Sequence, residues 1–152
     1  MKRKPILSTI GWRECVALPD FQIPVIRAKI DTCAGSSSIH ATRIHYFHQG
    51  DREMVRFQIH PHQHNIHDTV TIEAPLVEHR SIKSSNGQKQ LRPVIETHVQ
   101  LGEHRWLIEL NLTNRSLMGY RMLLGRQALR KRFLVDVSKS FLQSQPDHPH
   151  QP

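Results

Sequence analysis

The segment Val25-Ile26-Arg27-Ala28-Lys29-Ile30-Asp31-Thr32-Cys33-Ala34 decides how this chain folds. Its first part, up to Ile30, is mainly apolar and rich in β-branched residues, which is typical of a buried strand. Asp31 follows directly, so a carboxylate stands at the end of that strand. An aspartate in such a turn often accepts hydrogen bonds from nearby backbone N–H groups. The turn alone therefore allows two interpretations, a structural turn and a reactive carboxylate.

Hydrophobic alternation elsewhere predicts an all-β protein. Apolar side chains recur at every second position in several short segments, as in strands with one buried face. The clearest of these segments are residues 55–59, 95–99 and 106–112. One short helix is predicted over residues 127–132. The overall pattern favours a β-barrel or a β-sandwich.

Length and composition indicate a single folded unit. A chain of 152 residues, 38% of them hydrophobic, fits one domain. We expect that domain over residues 1–143 and a disordered, polar and proline-rich tail over residues 144–152. The sequence shows neither a signal peptide nor a membrane span, so we expect a cytoplasmic protein. Cys15 and Cys33 are too few for a disulfide framework, and their spacing matches no zinc signature.

The formal net charge of +8 raises the question of nucleic-acid binding. The basic residues are scattered, with modest clusters at Lys2-Arg3-Lys4 and Arg130-Lys131-Arg132. No aromatic residues are interleaved with them, as a stacking platform for bases would need. A solvated basic surface is therefore the preferred interpretation, and nucleic acid is an unlikely partner.

A projecting hairpin is predicted in the middle of the chain. Residues 82–91 are polar on both sides of Asn86-Gly87. Asn-Gly is the strongest local signal for a two-residue hairpin turn. On its own this feature would be an ordinary surface turn.

The order of parts resembles a retropepsin-like aspartic peptidase. In that fold a second loop, two apolar residues followed by Gly-Arg, packs beneath the catalytic loop and leads into a helix. Leu123-Leu124-Gly125-Arg126 stands at the matching place here, before the predicted helix.

A closer resemblance covers nearly the whole chain. The chain is similar to the bacterial family formerly labelled ATP-dependent zinc proteases, now regarded as retropepsin-like and often associated with an ATP-grasp glutamate ligase. The resemblance is carried by Gly11-Trp12-Arg13-Glu14, Leu18-Pro19, Ala28-Lys29-Ile30-Asp31-Thr32, Ser37-Ser38-Ile39-His40-Ala41, Val55-Arg56-Phe57, Glu73-Ala74-Pro75-Leu76, Arg80, Lys83-Ser84-Ser85, Leu112-Thr113-Asn114-Arg115 and residues 118–126.

The resemblance implies a closed β-barrel with one short C-terminal helix and a flap hairpin. It implies a catalytic Asp31 and no cofactor. The residues expected to support the catalytic loop are Thr32, Cys33, Ala34, Gly125 and Arg126. The residues expected in the flap, where they would bind substrate, are Ser84, Ser85, Asn86 and Gly87.

Peptide hydrolysis by this route needs two neighbouring carboxylates, which share one proton while one of them activates water. The chain offers no convincing second aspartate, because Asp68-Thr69 has neither the turn glycine nor a buried strand before it. The second carboxylate is therefore expected from Asp31 of another copy, in a symmetric homodimer.

Cys33 departs from the family pattern, which has glycine at this position. A cysteine brings a Cβ and a sulfur atom into the space between two facing loops. Three outcomes stay open, in this order: the loop tolerates cysteine and is active, the protein is an inactive binding domain, or paired Cys33 thiols form a redox- or metal-sensitive link.

The histidine-rich stretch supports a rival interpretation, a zinc-dependent hydrolase. Its histidines are His60, His62, His64 and His67. Their spacing matches no helical His-Glu-x-x-His arrangement, and Pro61 disfavours a helix there. We therefore predict no metal centre, only adventitious metal binding by an exposed loop.

The other alternative is a catalytically inactive β-barrel that binds peptides for a peptide-modifying or ribosome-associated system. The basic charge suits a peptide or poly-glutamate-like substrate under either reading, and an ATP-grasp ligase is a possible partner. Cleavage that disappears in Asp31→Asn would favour the enzyme, and binding without cleavage would favour the alternative.

Overall fold

The structure is a computed structural model that describes residues 6–62, 68–84, 86–114 and 119–145. The described residues form strands and one short α-helix, so the all-β prediction is confirmed. The strands are β1 (Ser8–Gly11), β2 (Arg13–Leu18), β3 (Ile23–Ile30), β4 (Ser37–Gln49), β5 (Arg52–Ile59), β6 (Val70–Pro75), β7 (Glu78–Lys83), β8 (Lys89–Leu101), β9 (His104–Thr113), β10 (Met122–Leu124) and β11 (Phe133–Asp136), and the helix is α1 (Arg126–Leu129).

The three segments with the clearest alternation all lie within strands, namely β5, β8 and β9. In β9, Trp106, Ile108, Leu110 and Leu112 are buried while Leu107 is exposed. The alternation therefore reports one strand face packed against the core. The α-helix ends earlier than predicted, at Leu129, because Lys131 adopts a left-handed φ of 65° that a helix cannot continue through.

Hydrogen-bonded strands follow one another in a ring. The order is β10, β3, β2, β8, β9 and β4, and β10 also pairs with β4. The ring is irregular, since β2 meets β8 through the single register pair Ala17↔Gln100 and β10 is only 3 residues long. We therefore describe a ring of strands around an apolar core rather than a regular barrel.

Strand β10 fixes the place of the Asp31 segment. It lies between β3 and β4, with Leu124 paired in parallel to Ile30 and Met122 paired in antiparallel to Ile39. The connection from β3 to β4 therefore passes the end of β10 where Gly125 begins. This topology brings two segments that are far apart in sequence into contact.

The predicted hairpin is confirmed as β7 and β8, whose last register pair is Lys83↔Lys89. The turn is wider than the two residues predicted, because the Ser84 N–H donates to the Gln88 carbonyl at 2.8 Å. Gly87 takes a positive φ of 85°, which glycine adopts without steric cost. The Asn-Gly signal thus located the turn correctly, although not its length.

The chain after β11 packs back onto the start of the fold. β11 pairs with β1 in parallel, and the Trp12 N–H donates to the Lys139 carbonyl at 2.9 Å. Ser144, which was assigned to the tail, hydrogen-bonds to the buried Glu14 at 2.7 Å. Ordered contacts therefore extend at least to Ser144, and residues 146–152 lie outside the described residues.

None of the helices formed by the described residues is long and apolar enough to cross a bilayer, since α1 has only 4 residues.

Candidate functional site

Asp31 lies directly after β3 and is half-buried. Its Oδ1 accepts hydrogen bonds from the N–H groups of Cys33 at 2.9 Å and Ala34 at 3.2 Å. Its own N–H donates to the Leu124 carbonyl at 2.9 Å. The carboxylate is therefore held in a fixed orientation by its own turn. This geometry is that of a capping aspartate, and it also leaves Oδ2 for other chemistry.

The loop at Gly125 packs tightly against the Asp31 turn. The Gly125 N–H donates to Ser37 Oγ at 3.0 Å. A Cβ built on Gly125 would stand 2.5 Å from the Ser36 carbonyl oxygen and 2.8 Å from that of Ala34. Real Cβ atoms do not approach backbone oxygens so closely, so only glycine fits here. The close approach explains why a glycine follows β10.

Arg126 holds the same turn through its side chain. Its Nη1 donates to the carbonyl of Thr32 at 3.1 Å and to that of Cys33 at 2.8 Å. Its backbone N–H donates to the Ala34 carbonyl at 2.8 Å. The structure thus brings together all the residues predicted to support the loop. A guanidinium suits this task because its donors point in a fixed fork.

A second support, which sequence reasoning missed, reaches the turn from the other side. The Ile30 N–H, next to Asp31, donates to the Trp12 carbonyl at 2.8 Å. The turn containing Trp12 is fixed by Glu14, a fully buried carboxylate. Its acceptor atoms receive hydrogen bonds from Gly11 N at 2.7 Å, Leu142 N at 2.8 Å, Gln143 N at 3.0 Å and Ser144 Oγ at 2.7 Å. The available signal was Glu14 itself, within the quoted Gly-Trp-Arg-Glu motif.

Cys33 is exposed and is not disulfide-bonded. The non-glycine residues that take a positive φ in the described part of the chain are Gln22, Arg43, Lys131 and Phe141. Cys33 is not among them, so its backbone conformation does not require glycine. Within one chain, the turn accommodates cysteine without backbone strain.

The hairpin tip is exposed and bonded to itself. Asn86 Oδ1 accepts from the Gln88 N–H at 3.2 Å, and Ser84 Oγ donates to the Gln88 carbonyl at 3.0 Å. The Ser84 hydroxyl also hydrogen-bonds to Asn86 Oδ1. Ser85 lies outside the described residues. The tip therefore does not contact the Asp31 turn in this chain.

A cleft lies between the base of the hairpin, α1 and the end of the Asp31 loop. It has a cavity volume of about 190 Å³, and its polar lining includes Ser36, Arg80, Glu109 and Gln127. Arg80 Nη2 donates to Glu109 at 3.1 Å and its Nε donates to Glu78 at 2.6 Å. These hydrogen bonds, first to Glu109 and then to Glu78, raise the pKa of Arg80. The cleft thus carries a cation that two carboxylates already neutralise.

The histidine stretch is less exposed than predicted where the structure describes it. His60 Nε2 hydrogen-bonds to Thr42 Oγ1 at 2.9 Å, and its Nδ1 to Thr69 Oγ1 at 3.1 Å. Burial, and secondly the charge of Arg121, lower the pKa of His60. His60 therefore bridges β4 to the start of β6, which is a structural role.

His62 lies near Asp68, with Nε2 and Oδ2 3.7 Å apart, while His64 and His67 lie outside the described residues. Among the residues that the structure describes, no three histidine, cysteine or acidic side chains come together as metal ligands.

Other aspartates are engaged away from the Asp31 turn. Asp20 Oδ2 accepts hydrogen bonds from both the backbone and the ring of His98 at 2.9 Å. Asp136 accepts from Ser138. These side chains have local structural partners, as expected for aspartates in turns.

An all-β chain that presents an aspartate on a turn, with a Gly-Arg loop packed against that turn, has an aspartic-peptidase-like fold. The comparison with protein families agrees. The family model that describes the retropepsin-like aspartic endopeptidase RimB matches residues 9–146. The chain therefore belongs to the RimB-like family.

The most similar curated proteins include two named probable alpha-L-glutamate ligase. The protein from Shewanella halifaxensis is 46% identical over 132 residues, which is 87% of this chain and 29% of that protein. The protein from Parasynechococcus marenigrum is 41% identical over 140 residues, 92% of this chain and 29% of that protein. The chain thus spans less than a third of the length of these relatives.

A solved structure shares the fold. It is the crystal structure of Lpg0085, a protein of unknown function from Legionella pneumophila, with a TM-score of 0.72 and 28% sequence identity. The match covers 90% of this chain and 98% of that chain.

Proposed function

We propose that this chain is an aspartic-type endopeptidase domain that works as a homodimer. Asp31 of each copy contributes one carboxylate to a single site on the two-fold axis. The observation that carries the proposal is the Asp31 turn, which the Gly125-Arg126 loop holds through Ala34, Thr32 and Cys33. Membership of the RimB-like family supports the same reading.

The chemistry follows from two carboxylates that face each other. Like charges this close cannot both ionise cheaply, so the pair shares one proton. The ionised Asp31 takes a proton from water as the water attacks the scissile carbonyl. The protonated Asp31 of the other copy donates a hydrogen bond to the developing oxyanion. Thr32 holds the two turns together across the axis, and the strand ring corresponds to the closed barrel of the retropepsin fold.

The hairpin tip supplies the movable part of the site. Ser84, Asn86 and Gly87 form an exposed turn bonded to itself, which is free to close over a peptide. Closure would exclude water from the reacting carbonyl. The rigid Asp31 turn would stay in place during this movement.

We propose an acidic peptide, such as a glutamate-rich chain, as the substrate class. The net charge of +8 favours the approach of anions, and the relatives named glutamate ligase make glutamate peptides a natural set to test. Association with an ATP-grasp ligase belongs to the same proposal. The proposed setting is the cytoplasm, where the free thiols of Cys15 and Cys33 would stay reduced.

Cleavage of an oligo-glutamate peptide and of a neutral peptide of equal length tests the proposal between pH 4 and pH 8. Asp31→Asn keeps an oxygen for the Cys33 and Ala34 N–H groups, so the turn should persist. We expect a loss of at least roughly 10²-fold in rate, because general acid–base catalysis contributes about that much. The matched control, Asp51→Asn, changes an exposed turn aspartate and should leave cleavage unchanged.

Three results would contradict the proposal. Cleavage that survives Asp31→Asn would exclude Asp31 as the catalytic carboxylate. Cleavage abolished by a chelator and restored by zinc would point to a zinc-dependent hydrolase. Peptide binding that is unaffected by Asp31→Asn and is accompanied by no cleavage would identify the binding domain that Cys33 keeps as the alternative.

A further inference from the structure

A buried asparagine stands between the hairpin and the Asp31 loop. Asn111 on β9 is 2% exposed. Its Nδ2 donates to the Ser37 carbonyl at 2.9 Å, and its Oδ1 accepts from Ser38 Oγ at 2.8 Å. Ser37 and Ser38 begin β4, directly after the loop that carries Asp31. Asn111 therefore fixes the strand into which that loop runs.

A buried arginine joins the same group from the hairpin side. Arg92 lies on β8, in the part that pairs with β7, and is 6% exposed. Its Nη1 donates to Asn111 Oδ1 at 2.9 Å, and its Nε donates to Gln90 at 3.0 Å. Because Lys89 begins β8, both Gln90 and Arg92 stand near the tip end of the hairpin. The hydrogen bonds thus reach from the hairpin into the core.

The chain of hydrogen bonds continues to the Asp31 turn. Ser37 accepts from Asn111 through its carbonyl and from the Gly125 N–H through its hydroxyl at 3.0 Å. Arg126, the next residue, donates to the Ala34 carbonyl at 2.8 Å. A displacement of Asn111 would therefore move Ser37, and with it the loop that packs against Asp31.

The orientation of the Asn111 amide is fixed by its partners. Arg92 and Ser38 both donate to its oxygen, so the amide nitrogen must face the Ser37 carbonyl. An aspartate in its place would keep both donors but would set an oxygen against the Ser37 carbonyl. A buried contact between two acceptors is costly, so it would push Ser37 away.

We propose that Asn111 and Arg92 are positioning residues that tie the base of the β7–β8 hairpin to the Asp31 loop. The proposal rests on the proposed peptidase function for its kinetic consequence. Its structural consequence, a loop held in place through Asn111, does not depend on activity. The two consequences can be measured separately.

The first measurement is amide hydrogen exchange on Asn111→Asp and the wild-type protein. We expect faster exchange at Gly125 and Arg126, whose N–H groups lie at the end of the chain of bonds. Amides of β5 and β6 should be unchanged, because that part of the fold is not connected through Asn111. Unchanged exchange at Gly125 would overturn the proposal whether or not the protein cleaves peptides.

The second measurement is the kinetics of peptide cleavage by the same variant. Misplacing a reacting group by about 1 Å can cost on the order of 10²-fold in rate, so we expect kcat to fall between 10-fold and 100-fold. KM should change less than about 3-fold, because the hairpin residues that would contact the peptide remain.

Matched variants separate positioning from general loss of stability. Ile72→Val removes a methyl group from the buried face of β6, away from this group, and its kcat should follow only the folded fraction. Arg92→Lys keeps a cationic donor for Asn111 and should recover part of the kcat that Arg92→Gln loses. An Asn111→Asp variant that loses no more kcat than Ile72→Val at equal folded fraction would overturn the proposal. Failure of the proposed function would look different, as cleavage that persists in Asp31→Asn.

Discussion

The turn that carries Asp31 and the tip of the β7–β8 hairpin are both short connections between strands, yet they are held in opposite ways. The Asp31 turn is fixed from outside, by the Trp12 carbonyl before it and by Gly125 and Arg126 beside it. The hairpin tip is fixed only by its own hydrogen bonds among the residues described there, such as that from Ser84 to Gln88.

This difference has a physical consequence. A segment held by buried partners opens only when those partners open, whereas a self-bonded exposed tip can move at low cost. A site that needs one fixed carboxylate and one closing cover would be built this way. The substitutions below test the contrast, in order of decreasing effect on the free energy of unfolding.

Glu14→Gln should have the largest effect. The amide would set an NH₂ group against donors that now bond to a carboxylate oxygen, leaving buried N–H groups unsatisfied. We expect a loss of about 3 kcal/mol in the free energy of unfolding, measured by urea denaturation. The exposed control Glu96→Gln should change it by less than about 0.5 kcal/mol. Equal losses in the two variants would show that Glu14 does not hold this end of the molecule.

Gly125→Ala should come next. The new Cβ would meet the Ser36 carbonyl oxygen at 2.5 Å, so backbone on one side must shift. Overpacking of this kind costs about 1–3 kcal/mol, and the shift should also abolish peptide cleavage.

Gly35→Ala is the control in the same loop, since its nearest neighbour would be Arg126 Nη2 at an ordinary 3.7 Å. If Gly35→Ala were as damaging as Gly125→Ala, the close approach at Gly125 would not be what fixes the turn.

Gly87→Ala should have a smaller and purely local effect. A Cβ there would meet nothing within 4 Å, but the φ of 85° is unfavourable for alanine. We expect a loss of about 1 kcal/mol, with exchange of the Asp31-turn amides unchanged. Hydrogen exchange that rises at Gly125 in this variant would mean that tip and turn are not independent, and the comparison would fail.

Asp20→Asn should have the smallest effect and should depend on pH. Hydrogen bonds from the backbone and the ring of His98 hold the pKa of Asp20 below its usual value of 3.8. A carboxyl with a lowered native pKa stabilises the fold above its unfolded pKa, and this contribution is lost as pH falls through the native pKa.

Because the pair of Asp20 and His98 is partly exposed, the loss at pH 7 should stay below about 1 kcal/mol. The difference between Asp20→Asn and the wild type should shrink as unfolding is measured from pH 5 down to pH 2. A difference that grows toward low pH would contradict this assignment.

The sequence predicted the strands well because their period is local. Alternation over a few residues placed β5, β8 and β9, and Asn86-Gly87 placed the hairpin. The contact between the Asp31 turn and Gly125-Arg126 followed only from resemblance to a family. No local pattern reports a contact between segments that are so far apart in the chain.

Long-range polar partners escaped prediction for the same reason. Glu14 bonds to Leu142, 128 positions away, and Asn111 bonds to Ser37, 74 positions away. In the sequence each of these polar residues is compatible with a solvent-facing position, and only the folded chain shows that they are buried. His60 was placed in an exposed loop because its neighbours are polar, although its ring bridges Thr42 and Thr69.

The central claim, that the site is made from Asp31 of two copies, is tested most directly by mixing chains. Wild-type chains are refolded together with increasing proportions of Asp31→Asn chains, and cleavage is measured per wild-type chain. A shared site predicts that this activity falls in proportion to the wild-type fraction, because mixed dimers carry only one Asp31. Mixing with Asp51→Asn chains should cause no such fall. Activity per wild-type chain that stays constant in the Asp31→Asn mixtures would show that each chain acts alone and would contradict the account.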